Sequence, residues 1–309
     1  MATTSQKIVI PGGSGYLGRA LAAYFVDRGD RVVLLSRSAA EERDGVKTVA
    51  WDGRTLGLWA AELEDADVVI NMAGRSVNCR YNARNRQAIY ASRLDSTRVL
   101  GEAIAQTQNP PRLWINSSSA TIYRDAYDRP MDEERGDIGS GFSVDVCQQW
   151  ERIFFEAPTP RTCKVALRSA MVFGKGHGGV MEAFQMIARL GLGGKQGSGK
   201  QFVSWVHLDD FIASIQWIID HPELEGPINV ASPNPRTNDD FMRILRLVSH
   251  QPIGLPATRW MLEIGAFFLR TETELLLKSR RVVPTRLLES GFQFRYPELY
   301  PALDNIVNE

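Results

Sequence analysis

The sequence predicts an α/β protein built on a doubly wound parallel sheet, followed by a small, mostly helical C-terminal lobe. Two observations lead to this prediction. Short runs of β-favouring residues alternate with helical patterns through the first half of the 309-residue chain, as in sheets whose parallel strands are joined by right-handed crossovers. The first of these units also has a glycine turn between its strand and its helix, which is typical of the Rossmann-type fold.

The composition limits the classes of partner and site that the sequence gives reason to expect. Lys+Arg and Asp+Glu are balanced at 36 each, so charge gives no reason to expect nucleic acid or an anionic membrane as a partner. The three cysteines show no paired spacing, which predicts reduced thiols and neither a disulfide framework nor a metal site. The chain start has no apolar signal core, and the most apolar late stretch, 260–269, is too short to span a bilayer. We therefore expect a cytoplasmic protein that acts on a small molecule.

The first predicted unit is a strand at residues 8–10, the glycine turn and a helix closed by Gly29. The apolar face of the helix consists of Leu17, Ala20, Leu21, Tyr24 and Phe25. Gly12 lets the chain leave the strand, Gly15 leaves room for a pyrophosphate, and Gly18 lets the helix pack against the strand. The helix N-terminus offers unpaired N–H groups to phosphates; the alternative is an ordinary glycine-rich turn. The expected cofactor contacts here are Gly12, Gly13, Ser14, Gly15, Tyr16, Leu17, Gly18 and Arg19.

A second strand ends in Ser36-Arg37. An acidic residue at this point would bind the ribose hydroxyls of NAD, whereas a small residue followed by arginine suits the 2′-phosphate of NADP. With Arg19 just past the glycine turn, two guanidinium groups are available for that phosphate. The alternative is that both arginines are solvated surface residues. We expect Ser36 and Arg37 to contact the cofactor, and the cofactor to be NADP(H).

Further elements complete the first half of the sheet. They are a strand at 47–51, a helical spacing at Leu56, Trp59 and Leu63, a buried strand at 68–74, a long helix over about 82–107 and a strand at 113–116 that runs into three serines. Ligands of such sheets bind beyond the carboxyl ends of the strands. The further cofactor contacts expected at this edge are Asp52, Asn71, Met72, Ala73, Gly74 and Ser117.

The second half of the chain is less regular. Residues 123–141 are expected to form a loop over the same edge, and 191–200 either a lid on a substrate pocket or a solvated loop. The other predicted elements are a helix at 144–155, a strand at 164–168, a glycine-rich loop at 174–179, a helix containing Val180, Phe184 and Ile187, a helix capped by Asp209 or Asp210, a strand at 227–231, a helix capped by Thr237, a helical stretch from about Pro252, and a last helix between Pro284 and Gly291. We expect residues 1–175 to form the nucleotide-binding core and 176–309 a smaller substrate lobe, with 205–232 returning to the core.

Several motifs resemble the short-chain dehydrogenase/reductase superfamily in its extended and atypical branches. They are the glycine motif at 12–18, with Pro11 where threonine is usual, Asn71-Met72-Ala73-Gly74, the serine strand at 117–123 and Trp205-Val206-His207-Leu208-Asp209-Asp210. Nearly the whole chain further resembles the YfcH-like (SulA-like) epimerase family proteins. The motifs for this narrower resemblance include Ala91-Ser92-Arg93, Val146-Cys147-Gln148-Gln149-Trp150-Glu151 and Ala231-Ser232-Pro233-Asn234-Pro235. It implies a Rossmann domain with a small C-terminal lobe, NADP(H) as ligand, and Arg93 as a cofactor contact where many extended members have asparagine.

One departure from the superfamily concerns its chemistry. The superfamily uses a serine and a Tyr-x-x-x-Lys pair, in which the tyrosine is the acid/base and the lysine lowers its pKa and holds the nicotinamide ribose. None of the eight tyrosines here is followed by lysine four residues later. Alignment on Glu151 implies that Ser143 stands at the tyrosine position and Cys147 at the lysine position, while Ser119 keeps the serine position. The usual mechanism is therefore not expected.

Ser119 and Tyr123 are the catalytic candidates. Ser119 either binds a substrate carbonyl or caps local backbone, and Tyr123 either replaces the missing acid or is structural. Cys147 is expected to be an inert thiol, and His207 to hold local structure with Asp209 or Asp210. Arg168, at a strand end, could pair with an anion or a carboxylate.

The predicted function is that of an NADP(H)-binding oxidoreductase or epimerase/dehydratase whose substrate the sequence does not identify. The rival prediction is a catalytically silent protein that senses NADP(H) or binds another protein, connected with cell division. An NAD-dependent sugar-nucleotide epimerase ranks third, because the Tyr-x-x-x-Lys pair is missing and Ser36-Arg37 favours NADP(H). A homodimer is one option for its assembly.

Overall fold

The computed structural model describes residues 5–258 and 277–308, and its main feature is an eight-stranded sheet. The strands in chain order are β1 Lys7–Pro11, β2 Arg31–Ser36, β3 Ala40–Arg43, β4 Val46–Ala50, β5 Val68–Asn71, β6 Leu113–Ser119, β7 Cys163–Ser169, β8 Met171–Phe173, β9 Phe202–Val203, β10 Trp205–His207, β11 Gly226–Val230 and β12 Arg236–Thr237. The helices are α1 Tyr16–Asp27, α2 Ala83–Gln106, α3 Phe142–Glu156, α4 Val180–Arg189, α5 Leu208–Asp220, α6 Asn238–Val248, α7 Thr285–Glu289 and α8 Leu299–Asn308, with 3-10 turns at Leu58–Leu63 and Ala120–Ile122.

The order of the main sheet is β11-β7-β6-β5-β1-β2-β4-β3. All neighbours pair in parallel except β3, which runs antiparallel to β4 at the edge. The predicted doubly wound parallel sheet is thus confirmed. The chain moves outward from β1 through β2 and β4, then returns to the other side of β1 with β5, so the strand order reverses between β1 and β5. Such a reversal leaves a crevice at the carboxyl ends of these strands.

Helices cover both faces of this sheet because its strands are apolar on both sides. In β1, Ile8 and Ile10 pack with α1 and α5, whereas Val9 between them packs with α2 and α3. The apolar cluster on the α1 and α5 face of the sheet includes Phe25 and Phe211. The cluster on the opposite face includes Trp114 and Phe154, whose rings meet edge to face at 4.7 Å. This alternation follows from the two-residue period of a strand.

Apart from the two faces of the main sheet, a separate cluster of apolar side chains joins α4, α6 and α8 to the short strands β8 and β10; we call it the second apolar cluster. Phe173 is its centre, stacked on Phe241 at 5.4 Å and parallel to Trp205 at 6.1 Å. α5 and β11, by contrast, belong to the main sheet, because α5 packs with α1 and β11 pairs with β7. Among the described residues, no helix is both long enough and apolar enough to cross a bilayer.

Three local predictions were wrong. The cap of α5 is His207, whose Nδ1 accepts the N–H of Asp209 at 3.1 Å, and neither Asp209 nor Asp210. The apolar spacing at 56–63 forms a 3-10 turn and no α-helix. Residues 252–258, expected to be helical, are irregular apart from a bridge between Ala257 and Gln196, and the remainder of that predicted helix, 259–276, lies outside the described residues. Strands as short as β8, β9, β10 and β12 leave no periodic pattern and were not predicted.

Candidate active site

A cavity of about 500 Å³ opens at the carboxyl ends of β1, β5, β6 and β7, where the strand order reverses. Its walls come from the glycine turn, the segment after β5, one face each of α2 and α3, and the chain between β7 and α4. The predicted site residues that line it are Gly12, Gly15, Tyr16, Leu17, Gly18, Met72, Ala73, Gly74, Arg93, Ser117 and Ser119. The structure therefore brings most of the predicted motifs to one pocket.

Of the four glycines at 12–18, Gly12, Gly15 and Gly18 differ in what surrounds them. A Cβ atom on Gly12 would lie 2.6 Å from the Ala73 backbone, and one on Gly18 would lie 2.5 Å from the Cα atom of Gly13. These two glycines are required by close approach of backbone to backbone. A Cβ atom on Gly15 would meet nothing nearer than the Gly12 carbonyl oxygen at 3.5 Å. The fold itself leaves room for a side chain at Gly15, so the reason for glycine there lies in the cavity.

The N-terminus of α1 is open toward this cavity. The N-cap residue of α1 is Gly15, which has no side chain to cap the helix, and the first turn of α1 contains no acidic residue. α5 and α6 differ on both counts: the side chains of His207 and Thr237 cap them, and each carries two aspartates in its first turn. An uncapped helix start combines unpaired N–H groups with the positive end of the helix dipole, which favours bound phosphate.

The end of β2 lies beside the turn, since Gly12 donates its N–H to the Leu35 carbonyl at 2.9 Å. Ser36 is half-buried and Arg37 is exposed. Arg19 is also exposed, and its Nη1 donates to the Ser14 carbonyl, which holds the side chain next to the turn. The Arg19 guanidinium thus lies beside the turn, and Arg37 directly follows the strand that ends there.

The side chains of two predicted cofactor contacts, Asp52 and Asn71, instead form hydrogen bonds within the protein. The Asp52 carboxylate accepts the N–H groups of Arg54 and Thr55 at 2.8 and 2.9 Å, and these bonds, with one from the Thr55 hydroxyl, lower its pKa to about 2. Asn71 is fully buried, donates to the Asn116 side chain at 2.7 Å and accepts the Ala73 N–H at 3.0 Å. The Asn71 side chain shapes the strand end and does not line the cavity.

Tyr16 connects the turn to the glycine-rich segment 174–179. Its hydroxyl donates to the Lys175 carbonyl at 2.9 Å. A Cβ atom on Gly174 would lie 2.5 Å from that hydroxyl oxygen, and one on Gly179 would lie 3.1 Å from the ring. Gly178 and Gly179 line the cavity opposite the turn. The predicted glycine-rich loop is therefore a wall of the site, and its glycines make room for Tyr16.

The two catalytic candidates have different surroundings. Ser119 lines the cavity, but its hydroxyl also accepts the Thr121 N–H at 3.2 Å and caps the following turn. The Tyr123 ring is 1% exposed, and its hydroxyl donates to Asn229 Oδ1 at 2.9 Å. Burial raises the pKa of Tyr123. The Tyr123 hydroxyl is not among the cavity-lining groups, which favours the structural alternative for this residue.

Sequence reasoning missed the ionic network beneath the serine strand. Arg168 binds Glu151 through Nε at 2.9 Å and Nη2 at 2.8 Å, and its Nη1 donates to the Tyr123 hydroxyl at 2.9 Å. The Ser118 hydroxyl donates to the same Glu151 carboxylate at 2.6 Å. Burial opposes the charge of Arg168, but the bonds to Glu151 outweigh burial, so its pKa is raised. Of the two partners considered for Arg168, the structure shows a carboxylate.

One face of α3 forms a wall of the cavity through residues spaced by one helical turn. Ser143, Cys147 and Trp150 lie along it. Burial raises the pKa of the Cys147 thiol to about 12, which keeps it protonated and agrees with the expected inert thiol. The spacing i, i+4, i+7 in a helix that the sequence predicted could have identified this wall.

Residues 191–200 do not line this cavity, and the segment is only partly exposed to solvent. Gln196 is 2% exposed, and its side chain accepts from Asn238 Nδ2 at 3.1 Å. Gly197 donates to the Ala257 carbonyl at 2.8 Å, and Gly194 donates to the Leu255 carbonyl at 3.2 Å. The segment packs on the start of α6, and none of its residues lines the cavity in the described part of the chain.

Comparison with known proteins identifies the family. The NAD dependent epimerase/dehydratase family matches residues 8–231, and a domain of unknown function (DUF1731) matches 257–306. The chain is 30% identical over 306 residues to the bovine (Bos taurus) epimerase family protein SDR39U1, covering 98% of this chain and 100% of that protein. It is 30% identical over 310 residues to the epimerase family protein YfhF of Bacillus subtilis, covering 98% of both chains.

The structure resembles a crystal structure of human epimerase family protein SDR39U1 with NADPH, with a TM-score of 0.87 and 29% identity over 98% of this chain and 100% of that one. The UDP-N-acetylglucosamine 4-epimerase of Bacillus cereus has a TM-score of 0.76 at 16% identity, covering 98% of this chain and 96% of that one, a likeness of fold alone. The sequence matches cover the glycine turn, the main sheet and the cavity described above. This chain belongs to the NAD dependent epimerase/dehydratase family.

Proposed function

We propose that this protein is an NADP(H)-binding oxidoreductase or epimerase/dehydratase. The observation that carries the proposal is the uncapped N-terminus of α1 at Gly15, which lines the cavity. The fold leaves room for a side chain at Gly15, so we attribute the glycine to a ligand in the cavity. A relative with 29% identity has been crystallised with NADPH, which supports the same cofactor here. The narrower resemblance to the YfcH-like proteins, location in the cytoplasm and a possible homodimer are part of this proposal. The first two are supported by the motifs quoted above and by three cysteines that are all free.

The residues present fit the two ends of this cofactor. The N–H groups at the start of α1 would hold the pyrophosphate, and Arg37 and Arg19, with the Ser36 hydroxyl, would hold the 2′-phosphate. Met72, Ala73, Gly74 and Ser117, at the ends of β5 and β6, would border the remainder of the molecule. When bound, NADP(H) supplies or accepts a hydride, so that a carbonyl and the corresponding alcohol are interconverted with gain or loss of one proton.

The chain's own groups at the reacting end are weak acids. The residues with hydroxyl or thiol groups that line the cavity include Ser119, Ser143 and Cys147. The Ser119 hydroxyl donates to Thr121 Oγ1 at 3.0 Å, and we infer that it exchanges this bond for one to a substrate oxygen. The apolar side chains of Ile89, Phe142 and Trp150 line the same cavity. Positioning and hydrogen bonding are therefore the contributions that these residues make.

Titration calorimetry with NADPH and NADH tests the cofactor assignment, and a screen of carbonyl compounds followed by NADPH oxidation tests the activity. We expect NADPH to bind at least tenfold more tightly than NADH, since the 2′-phosphate adds charge-assisted hydrogen bonds. Equal affinities would exclude the proposed 2′-phosphate site. The absence of binding by either cofactor would reject the proposed function.

A second candidate is a catalytically silent NADP(H) sensor or protein-interaction factor. The observation that favours it concerns Tyr123, which was the candidate to replace the missing catalytic acid. Its hydroxyl forms hydrogen bonds with Arg168 and Asn229 beneath the site. Tight NADPH binding without turnover of any compound in the screen, together with a partner protein that is retained only when NADPH is present, would favour this candidate.

A further inference from the structure

Arg93 is a charged side chain in the wall of the cavity. It lies on α2, and its guanidinium carbon stands 5.1 Å from the centre of the Trp150 ring. The same guanidinium passes beside Gly74, where an added Cβ atom would lie 3.5 Å from it. Trp150 is itself fixed, because its Nε1 donates to Thr97 Oγ1 at 2.8 Å. The guanidinium plane is therefore held in one place at the end of β5.

The hydrogen bonds of Arg93 use only one of its three nitrogen atoms. Nη1 donates to the carbonyls of Arg75 at 3.1 Å and Ile89 at 3.3 Å. Nε and Nη2 have no partner among the described residues, and no described carboxylate forms an ion pair with Arg93. Burial lowers its pKa, as expected for a cation that no anion compensates. Arg93 is half-buried, and a cation that has lost part of its water without gaining an anion is costly, which indicates that a ligand supplies the anion.

A second unpartnered group lies on the facing helix. Ser143 is one of the residues that line the same cavity, and its hydroxyl is buried and has no hydrogen-bond partner in the described chain. Cys147 follows one turn later on α3, and the charge of Arg93 acts on its thiol, so the guanidinium and this face of α3 are close together. Buried hydroxyls are nearly always satisfied. Nε and Nη2 of Arg93 on α2 and the Ser143 hydroxyl on α3 thus have no acceptor among the described residues, and both residues line one pocket.

We propose that Arg93 and Ser143 bind a carboxylate of the substrate, which makes the substrate a small carbonyl or hydroxy acid. The free Nε–Nη2 edge of Arg93 presents two parallel N–H groups, and this fork matches the two oxygens of one carboxylate. Ser143 then donates to the same group from the facing helix. The wall around it is largely apolar, with Ile89, Phe142 and Trp150, so the acid carries an apolar or aromatic remainder. The sequence assigned Arg93 to the cofactor; the unused edge assigns it to the substrate.

This inference rests on the proposed NADP(H) function, and two separate titrations distinguish them. In the first, NADPH is titrated into the wild type and Arg93→Gln. In the second, phenylpyruvate and its methyl ester are titrated into each protein saturated with NADP⁺. We expect NADPH to bind both proteins alike. We expect the acid to bind the wild type at least tenfold more tightly than the ester, and Arg93→Gln to lose roughly ten- to a hundredfold in acid affinity.

Three further variants sharpen the test. Arg93→Lys keeps the charge without the fork and should fall between the wild type and Arg93→Gln. Ser143→Ala should weaken acid binding a few fold and leave ester binding unchanged. Arg98→Gln is the matched control, because Arg98 lies on the same helix but is exposed and paired with Glu102 at 2.6 Å. It should bind acid and NADPH like the wild type.

Several results would overturn the inference. If acid and ester bind equally, or if Arg93→Gln binds the acid like the wild type, the carboxylate site does not exist. If Arg93→Gln loses NADPH affinity and keeps acid affinity, Arg93 is a cofactor contact. If hydroxyacetone phosphate, but no carboxylic acid, binds in an Arg93-dependent manner, the ligand group is a phosphate. In each case NADPH binding to the wild type would leave the proposed function standing.

Discussion

At the scale of single residues, the glycines of the turn serve two different purposes. Gly15→Val should abolish NADPH binding without disturbing the fold, because a side chain there meets open space and would occupy the pyrophosphate's path. Gly15 has φ −74° and ψ 172°, a conformation that valine adopts readily. We expect a change in the melting temperature of no more than about 2 °C, measured by calorimetric scanning, and no heat of NADPH binding.

Gly18→Ala is the comparison variant for this prediction. Its Cβ would lie 2.5 Å from the Gly13 Cα, so backbone must move and the free energy of unfolding should fall by about 1–3 kcal/mol. If Gly15→Val still bound NADPH normally, the phosphates would have to lie elsewhere. If both variants lost equal stability, the distinction between the two glycines would be wrong.

Arg37 should determine the preference for NADPH over NADH. Arg37→Ala removes a charge-assisted contact to the 2′-phosphate, and we expect a loss of about 1.5–3 kcal/mol in NADPH affinity, with NADH affinity unchanged. Titration calorimetry with both cofactors measures this directly. Arg152→Ala, which removes another exposed arginine from the outer side of α3, is the control and should alter neither affinity. A similar loss of affinity for both cofactors would show that Arg37 acts only through its overall charge.

The residues that the sequence placed well are those whose role depends on backbone position. The glycine turn and the ends of β5 and β6 meet at one cavity because parallel strands end at one edge of a sheet. Asp52 and Asn71 also stand at strand ends, but their side chains turn toward protein partners. The direction of a polar side chain depends on which partner is nearest in space, and no feature of the sequence indicates that Asn116 in β6 is the partner of Asn71.

At the scale of elements, Tyr123 joins the serine strand to β7 and β11 through Arg168 and Asn229. Tyr123→Phe leaves both partners without this hydroxyl and should reduce the free energy of unfolding by about 1–3 kcal/mol. NADPH affinity should stay the same, because the hydroxyl does not line the cavity. Urea unfolding and calorimetry measure the two quantities. Tyr127→Phe, at a neighbouring side chain that is 50% exposed, is the control; a loss of NADPH affinity in Tyr123→Phe would contradict the structural role.

His207 should make the start of α5 sensitive to acid. Burial lowers its pKa from the usual 6.5, although Asp209 and Asp210 favour the charged form; Arg295 opposes it. The unfolded chain therefore binds a proton more readily than the folded one below pH 6.5. The contribution of neutral His207 to the free energy of unfolding is fully present above pH 6.5. It falls as the pH drops toward the folded-state pKa of His207, by at most about 1.4 kcal/mol per pH unit.

The measurement is the free energy of unfolding in urea at pH 7.5 and pH 5.5, for the wild type and His207→Asn. Asparagine can still cap a helix but does not titrate in this range, so the variant should show a smaller difference between the two pH values. His177→Asn is the control, because the His177 side chain is 97% exposed. The prediction fails if His207→Asn keeps the wild-type pH dependence.

Long elements were predictable and short ones were not, for one physical reason. Strands such as β2 and helices such as α2 bury a face over many residues. Their apolar residues therefore recur with a period of two in strands and 3.6 in helices, which the sequence shows. The two-residue strands β9 and β12 exist because tertiary contacts bring them together. The cap of α5 was assigned to aspartate from residue preference, but His207 occupies that position, and its Nε2 also interacts with Asn305 in α8.

At the scale of the whole molecule, the C-terminal segment joins the sheet to the second apolar cluster. Met131 and Val282 form a bridge, Leu287 of α7 packs in the sheet core, and Leu303 of α8 packs with Phe241. Asp210, at the start of α5, accepts the N–H groups of Arg295 and Tyr296 at 2.7 and 2.9 Å, and burial raises its pKa. These are contacts between distant parts of the chain, and no local pattern in the sequence foretold them.

The chemistry of the whole site follows from what lines it. General acid–base catalysis contributes roughly 10²- to 10⁴-fold, and it is most efficient when the catalytic pKa lies near the working pH. Cys147, with a pKa of about 12, and the serine hydroxyls are far from that range. We therefore expect NADPH-dependent reduction of a carbonyl acid to be slower, by roughly this factor, than in enzymes with the Tyr-x-x-x-Lys pair.

Steady-state NADPH oxidation across pH 5–9 measures this, in the wild type and in three single variants. Among the described residues, the phenols that line the cavity are Tyr16 and Tyr81. Tyr81→Phe and Tyr123→Phe should leave kcat unchanged, and Ser119→Ala should lower it, because Ser119, at the end of β6 in the cavity wall, is the residue that we propose to bind the reacting oxygen. Since no group with a pKa near neutrality transfers the proton, kcat should lack the bell-shaped pH dependence of paired acid–base catalysis. Fast turnover that is lost in Tyr81→Phe would mean that a second phenol has replaced the missing tyrosine, and that the site is a complete acid–base catalyst.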